Sequence, residues 1–467
     1  MNPGLLVNFF TIIILYYYAG LFLWNFFTLI LSFGEIINMV RETHFKEHDN
    51  LIQNSDLYIS ISVPAFNEEK RILNCVYSVL QNNYQRFKLI VVNDGSTDNT
   101  LKLLQDEFKL YIVPPVIQQV IKTSPVNNYY QSALYPGLMV IDKQHGPYNN
   151  PADCHNATIN AISSPVMMTL DADTILEPDA LEYALFCFLS QKHCIAVGGG
   201  VYVLNDNIVK HGRMLTRNIS NRYVVGFQCI EYIRSFTYGR AGYNPLSGSL
   251  CYPGAFTLFE TQAMREFGGF DPRNVSFDAE IILRFHHQMR NRGYPTRVRY
   301  AANARAWTEV PGTWRGYWRQ RHFWQRGMLL SALSHLGMLF NPRYGIVGLV
   351  LLPTYFAFEI FAPVIEFTSY VLVLLSLFLG ILHWDMLVWY FGLAWSGIII
   401  LSMGSYYLNL IMMKQYYGKR DLLRYIWYST IEMFGFRQFR AACCTAATIQ
   451  FFWRRILHRF DLSKMSY

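Results

Sequence analysis

Charge is what this chain has little of. Only 15% of its 467 residues are Asp, Glu, Lys or Arg, while 52% are apolar and 16% aromatic, a balance that argues against an ordinary soluble protein. From Met1 to Gly34 there is no charged side chain at all. That absence also removes the basic n-region a secretory signal would need. The run is too long for an h-region and no small-residue cleavage site follows, so Phe9 to Phe33 reads as a retained transmembrane anchor. The eight cysteines contain no CxxC pair. Cys154, Cys187, Cys194, Cys229 and Cys251 therefore read as free thiols of a reducing compartment, and Cys443 and Cys444 as buried or free thiols rather than palmitate sites.

A second apolar stretch runs from Tyr344 to Met413, broken by Glu359, Pro363, Glu366 and the "HWD" of His383 to Asp385. Ile346 to Gly380 reads as one tilted, kinked span and Met386 to Met412 as a cleaner one. Glu359 and Glu366 are seven apart and share a helix face, which must look onto protein or a polar path. Arg41 and Lys46 follow the first span, and Lys414, Lys419, Arg420 and Arg424 the last, whereas the "HWD" turn carries no Lys or Arg. This asymmetry predicts an integral protein of the plasma or inner membrane, with the N-terminus outside and the catalytic mass cytosolic. The net charge of +8 is concentrated in Arg315 to Arg326 and Lys414 to Arg459. Beside membrane spans that suits anionic headgroups, and nucleic acid is not expected as a partner.

Length allows roughly three domain-sized units. The expected division is an anchor and linker at 1–50, a cytosolic catalytic domain at 51–310, amphipathic interface helices at 311–343, transmembrane helices at 344–413 and a cytosolic basic amphipathic tail at 414–467. In the soluble part, "YISISVP" reads as a strand, Glu69 to Gln81 as a helix with Ile72, Cys75, Val76 and Val79 on one face, and "FKLIVV" as the next strand. Strand, helix, strand predicts an α/β domain with a mostly parallel sheet. "PVMMTL" and "CIAVGG" are further buried strands.

In parallel sheets ligands bind at the carboxyl ends of the strands. Here those ends are "PAFNEE" after the first strand, "NDGSTDNT" (Asn93 to Thr100) after the second and "LDADT" after the third. The second is also good turn and cap chemistry. In the third, Asp171 and Asp173 flank Ala172, two hard carboxylates that could bridge a divalent ion to a diphosphate. A lone DxD is common; as the last of three acidic strand ends it carries weight. Farther on, "VSFDAEIILRFHHQ" places Asp278 and Glu280 ahead of a run with helical apolar spacing at Ile281, Ile282, Phe285 and Met289. There Ser276 suits an N-cap, and acids suit a first turn.

This ordered set resembles the membrane-integrated family-2 inverting glycosyltransferases of GT-A fold, the branch with hyaluronan, cellulose, chitin and poly-N-acetylglucosamine synthases. The resemblance runs from "VPAFNEE" through "RQRHFWQRG" into the following spans. It implies that Pro64, Ala65, Asn67, Glu68 and Asp94 hold the nucleoside, and that Asp173 is the chief ligand of a Mg²⁺ or Mn²⁺ ion with Asp171 near the nucleotide. "PGAFTLF" resembles the acceptor-side loop, with Gly254 and Phe256, before "GGFD"; Gly254 and Gly268 also read as turn glycines. Alignment of "GGFDPRNVSFDAEIILRFH" puts Asp278 on the family's general base, with Glu280 as runner-up and Phe277 where the family has Glu. "QRHFW" resembles QxxRW, which puts Gln320 near the diphosphate and Trp324 under the acceptor sugar.

Three places depart from the pattern. Phe277 and Phe323 stand where the family has charged residues; Arg321 or Arg326 could supply the missing cation at the second, although a helix puts them on other faces. Thr313 to Leu330 also reads simply as an amphipathic interfacial helix. In "KQHGPYNNPADCHNATINAI" the family's usual Lys has no clear counterpart, Asn160 matches the closing Asn and Lys143 is expected to hold the diphosphate. The resemblance implies transfer of sugar from a UDP-sugar to a growing polysaccharide, with coupled translocation across the bilayer and room for an accessory subunit. Two alternatives stand beside it: a glycolipid synthase with a membrane-lipid acceptor, and a non-catalytic sugar-nucleotide-binding subunit.

Overall fold

The computed structural model describes residues 3–42, 51–52, 55–115, 117, 121–148, 150–294, 297–382, 384–413 and 418–456. Lys46, His383, Lys414 and residues 457–467 of the expected tail lie outside them. Four strands form the parallel heart of the soluble part: β1 (Ile59–Ala65), β2 (Phe87–Asp94), β5 (Leu138–Lys143) and β6 (Val166–Leu170). They are buried almost throughout, as strands covered on both faces must be, which is why they read as continuous apolar runs. β3 (Leu110–Val113) and β4 (Val126–Ser132) extend one edge. β11 (Phe256–Glu260), β8 (Cys194–Val203), β12 (Arg297–Thr308) and β7 (Ile175–Leu176) extend the other, for an order of β3-β4-β5-β2-β1-β6-β11-β8-β12-β7. A separate hairpin pairs β9 (Val209–Lys210) with β10 (Arg213–Met214). β1 is flanked by β2 on one side and β6 on the other, so the chain reverses its direction of travel across the sheet there. The crevice beyond the carboxyl ends of β1 and β6 is where such a sheet binds ligands.

The first helix after β1, α2 (Ile72–Leu80), buries Ile72, Cys75, Val76 and Val79, the face that the spacing predicts. It starts three residues later than expected because Asn67 takes a left-handed conformation (φ 57°) and residues 68 to 71 form a turn. Helices α3 (Thr100–Phe108), α4 (Ala152–Ala161) and α5 (Ala180–Leu189) complete the soluble layers. α6 (Tyr223–Phe236) and α7 (Phe277–Asn291) lead toward the membrane part.

α1 (Pro3–Glu42) has 40 residues, about 60 Å of helix, twice the hydrocarbon core of a bilayer. Its C-terminal end reaches the ten-stranded sheet. Glu35 accepts from Arg299 of β12 (2.6 Å) and from Asn244 (3.0 Å), and Ser32 and Ile36 are buried there. α8 (Trp314–Ser334) opens with Thr313 accepting from Gly316 N–H at 3.1 Å. Next comes a wide helix, Val347–Ile360, with two stretches of π-helical turns, bent by 42° against α9 (Ala362–Phe378). α10 (Trp384–Met413) follows. Among the described residues two helices, Phe9–Glu42 and Leu387–Met412, are long and apolar enough to cross a membrane, and a third if the bent pair counts as one span.

The expected basic tail needs correction over its described part. α11 (Lys419–Ile431) packs on α6 and α10, and α12 (Phe436–Ile456) packs on α8 and α9. Arg437 of α12 is drawn in by Glu366 (2.8 and 3.0 Å), and the Cys443 thiol donates to the Trp318 carbonyl at 3.1 Å. Small residues such as Ala441 and Ala447 let the helices approach. Cys443 and Cys444 are buried thiols, as expected.

Candidate active site

The side expected to hold the nucleotide is built by cross-linking strand ends. The Asn67 side-chain carbonyl accepts from Thr97 N–H (2.8 Å) and Asp98 N–H (3.3 Å), and Glu68 N–H donates to Thr100 (2.8 Å), which ties the "PAFNEE" loop to "NDGSTDNT". Glu68 itself pairs with Arg71 at 3.0 Å. Ala65 at the β1 end is buried, and Pro64 beside it is half-buried. Phe66 stacks on His145, with ring centroids 4.5 Å apart, and His145 reaches Asp94 at 2.8 Å. Lys143 does not hold a diphosphate: it is fully buried, its ammonium bound to Asp94, to Asp153 (2.8 Å) and to the Gln144 carbonyl (2.9 Å). All three donors are used, so its task is to fix Asp94. Asn160 clamps the backbone of Ile121 through both amide atoms (2.7 and 2.8 Å), a scaffold role.

Past the end of β6 the chemistry changes. Asp171, Asp173 and Asp278 line one cavity, and none of them forms an ion pair among the described residues. Burial pushes the Asp171 carboxyl up to about 8, helped by the charges of Asp173, Asp278 and Glu68. Burial also raises Asp173, against the hydrogen bond from Thr308 (2.9 Å) and the nearby charge of Arg71. Asp278 is raised by burial too, while its carboxylate accepts from the N–H groups of Ala279 (2.9 Å) and Gly254 (3.1 Å). Like charges gathered in a dry crevice are relieved by taking up a proton or a cation. Among the described residues no three His, Cys, Asp or Glu groups are arranged to hold a metal ion by themselves.

The wall expected to face the acceptor corrects several expectations. Gly254 lines the cavity and binds Asp278, and a Cβ there would sit 3.1 Å from the Phe277 ring. Gly268 is a turn glycine with φ +80° and open space around it. Phe256 is not at the acceptor: its ring is fully buried against Gly199 in the sheet, one residue out of phase with the lining, where Pro253 to Ala255 take its place. Ser276 stands at the N-cap position of α7 but makes no cap bond. Its hydroxyl faces Gly327, where a Cβ would lie only 2.0 Å away, so Ser276 seats α8 against α7. Glu280, the runner-up base, is held by Arg284 (2.9 and 2.6 Å) and lies outside the cavity lining.

Phe277 also finds its explanation. It packs edge-on against Phe270 and beside His155, centroids 5.3 and 5.6 Å away, a buried aromatic cluster behind the Asp278 helix start. Burial drops the His155 pKa to about 3, which keeps it neutral there. From α8, Gln320, Arg321, Phe323 and Trp324 all line the cavity, and the Gln320 side-chain carbonyl is buried without a partner among the described residues. Arg321, not Arg326, is the cation on this face. It pairs with Glu231 at 2.7 Å and stacks on Trp324 at 4.4 Å.

Glu231 is a site residue that sequence reasoning missed. It belongs with Gln228 and Arg234 to a polar row three residues apart on the otherwise apolar α6, the one signal that could have found it. The cavity, about 1060 Å³, does not stop at α8. It continues past Arg240 and Glu359, which pair at 3.8 Å, and past Glu366 to Tyr18, Trp24 and Tyr390 on α1 and α10.

The profile of glycosyl transferase family group 2 matches residues 166–435, more than half of the chain, and that of glycosyl transferase family 2 matches residues 60–260. The chain belongs to this family. This glycosyltransferase is 29% identical over 269 residues to the poly-beta-1,6-N-acetyl-D-glucosamine synthase of Staphylococcus aureus (strain COL), a match over 58% of the chain and 54% of the relative. It is 26% identical over the same length to the enzyme of that name from Staphylococcus epidermidis. The match spans about half the length of these curated relatives. A mannosyltransferase of Pyrobaculum calidifontis, solved with GDP-Man and Mn²⁺, superposes with a TM-score of 0.51 at 13% identity, over 92% of this chain and 99% of its own. That likeness speaks for the fold. The glycosyltransferase has the expected GT-A architecture, and its two phenylalanine departures leave the three acids of the site in place.

Proposed function

We propose that this glycosyltransferase moves a sugar from a UDP-sugar to the terminal hydroxyl of a growing polysaccharide, with inversion, and passes the product toward the membrane. The observation that carries the reading is the single cavity that joins Asp171, Asp173 and Asp278 to the helices α1, α9 and α10. Its membrane half is walled by aromatic rings and paired charges, among them Arg240 with Glu359 and Arg437 with Glu366. Such walls suit a hydroxyl-rich saccharide better than an acyl chain, which favours the polymer over a glycolipid.

In this reading Asp278 is the general base. Two backbone N–H groups orient its carboxylate, and burial makes it a stronger base than a solvated aspartate. As the acceptor oxygen attacks the anomeric carbon, its proton passes to Asp278 and the bond to the nucleotide breaks on the opposite face. Trp324, stiffened by Arg321, offers a flat apolar surface to the acceptor ring. Gln320 offers a buried acceptor to a hydroxyl or amide of the sugar. Asp94, fixed by Lys143 and His145, belongs to the nucleoside end together with Pro64, Ala65, Asn67 and Glu68.

Asp173 and Asp171 fit a Mg²⁺ or Mn²⁺ ion, since two carboxylates plus substrate phosphates is how such ions are held, and the Asp171 carboxylate accepts no hydrogen bond from a described residue. When bound, the ion would neutralise the leaving diphosphate. The Lys/Arg asymmetry supports a cytosolic catalytic domain with the N-terminus across the membrane. Membranes that contain the full chain are to be incubated with a panel of labelled UDP-sugars. A ladder of polymer is the expected product; a single labelled lipid spot, or no transfer from any donor, overturns the reading.

A further inference from the structure

Five arginines line the cavity, and four of them donate hydrogen bonds to the protein. Arg234 donates to Glu432 (2.7 Å), Arg240 to the Gly239 carbonyl (3.3 Å), Arg321 to Glu231 (2.7 Å) and Arg437 to Glu366 (2.8 and 3.0 Å). Arg440 breaks the pattern. No described residue accepts a hydrogen bond from it, and its Nε stands 3.7 Å from a Glu231 oxygen, close enough for attraction but too far for a hydrogen bond. With 35% of the side chain accessible, its N–H fork is open to the cavity.

α12 fixes where that fork stands. Phe436, Phe439 and Cys443 are three and four residues apart and face α8: the Phe436 ring lies 5.2 Å from Tyr317, the Phe439 ring 5.6 Å from Trp318, and the Cys443 thiol reaches the Trp318 carbonyl. Arg437 and Arg440 each come one residue later, on the adjacent face, which lines the cavity. Arg437 is held toward α9 by Glu366, and Arg440 stands one turn on, beside Glu231 of α6. Glu231 joins it to Arg321, whose guanidinium lies 4.4 Å from the centre of the Trp324 ring. The row Trp324, Arg321, Glu231, Arg440 thus leads from the surface proposed for the acceptor sugar toward the Arg437–Glu366 pair of the membrane half.

The neighbour of Arg440 decides which ligand suits it. Glu231 already accepts from Arg321 and from the Tyr317 hydroxyl (3.2 Å), and an anion brought to Arg440 would meet this carboxylate as a like charge. A hydroxyl meets no such conflict. It accepts from the guanidinium and donates to the carboxylate at the same time. Resting on the polymer reading above, we propose that Arg440 and Glu231 bind hydroxyls of the saccharide next to the sugar on Trp324, so that a product of two or more sugars is retained between transfers.

The test gives membranes with the full chain, wild type or variant, the donor that the UDP-sugar panel identifies, and reads product length by gel electrophoresis. Arg440→Gln is expected to shorten the polymer about tenfold, the effect of losing one charged hydrogen bond on product release. Arg440→Lys, which keeps the charge but not the fork, should shorten it about threefold. UDP affinity, measured by calorimetry, should stay within about twofold in both. Thermal unfolding shows whether each variant is folded, and if Arg440→Gln is not, Arg440→Lys carries the same comparison. A wild type that makes no polymer sinks the polymer reading and this proposal with it. Wild-type polymer matched in length by a folded variant sinks this proposal alone, even where less of it is made, since a merely structural ion pair would change yield and not length. A tenfold loss of UDP affinity at unchanged length would assign Arg440 to the diphosphate and also overturn it.

Discussion

The two ends of the site treat their acids in opposite ways. At the expected nucleotide end Asp94 is met by Lys143 and His145, Asp153 by Lys143 and Glu68 by Arg71, so each carboxylate has a partner before any ligand arrives. Past β6, Asp171, Asp173 and Asp278 face one cavity without an ion pair, and burial raises all three. The first end is a finished scaffold, stable by itself. The second holds unspent electrostatic energy that substrate and cation are positioned to relieve.

That contrast can be broken most directly at Asp278. Asp278→Asn keeps the shape but only one of the two backbone hydrogen bonds, since Gly254 and Ala279 donate to different oxygens, and it should lower transfer by about 10²–10⁴-fold with UDP binding little changed. Turnover measured by UDP release together with calorimetric UDP binding checks this, and near-normal turnover would reduce Asp278 to a first-turn acid. At the finished end the loss should instead appear as stability. Lys143→Met strands two buried carboxylates and should cost about 3–5 kcal/mol, read by chemical denaturation; a neutral effect would mean that Asp94 does not need its partner.

The open end should betray itself in pH dependence. Asp171 is raised from 3.8 to about 8 in the folded chain, so folding takes up a proton. Its stabilising contribution is complete below about pH 4 and is lost as pH rises toward 8. Metal-free protein should therefore melt at lower temperature as pH rises through that window, and Asp171→Asn or saturating Mn²⁺ should flatten the slope. A melting temperature that climbs with pH whatever stands at 171 would sink the idea. The smallest effect belongs to Ser276. With no cap bond to lose, Ser276→Ala should change stability by less than about 0.5 kcal/mol, whereas Gly327→Ala opposite it should cost about 1–3 kcal/mol.

Much of the fold was legible because local pattern and global architecture agree. Buried strands announced themselves as apolar runs, and the acids after them as strand ends. What stayed hidden depends on distance and direction. Lys143 and Asp94 are 49 residues apart in sequence, and only folding shows that the ammonium is consumed. Phe256 sits in a strand covered on both faces, where period-2 alternation cannot tell which side faces the ligand. Phe277 looked like damage to an acidic pair until its neighbours Phe270 and His155 showed an aromatic support. Arg437 of the last helix read as part of a cytosolic basic amphipathic tail because its partner Glu366 lies 71 residues earlier.

The contact of Glu35 with Arg299 and Asn244 has a consequence for the reaction proposed above. It bolts the long first helix to the strand that ends at Thr308, beside Asp173. One ion pair and one hydrogen bond thus tie a wall of the cavity's membrane half to the strand that flanks Asp173. If the proposed polymer synthesis holds, that tie sets the distance from the reacting carbon to the first aromatic rings of the cavity, and a product one sugar longer would have to advance by one sugar before the next donor fits.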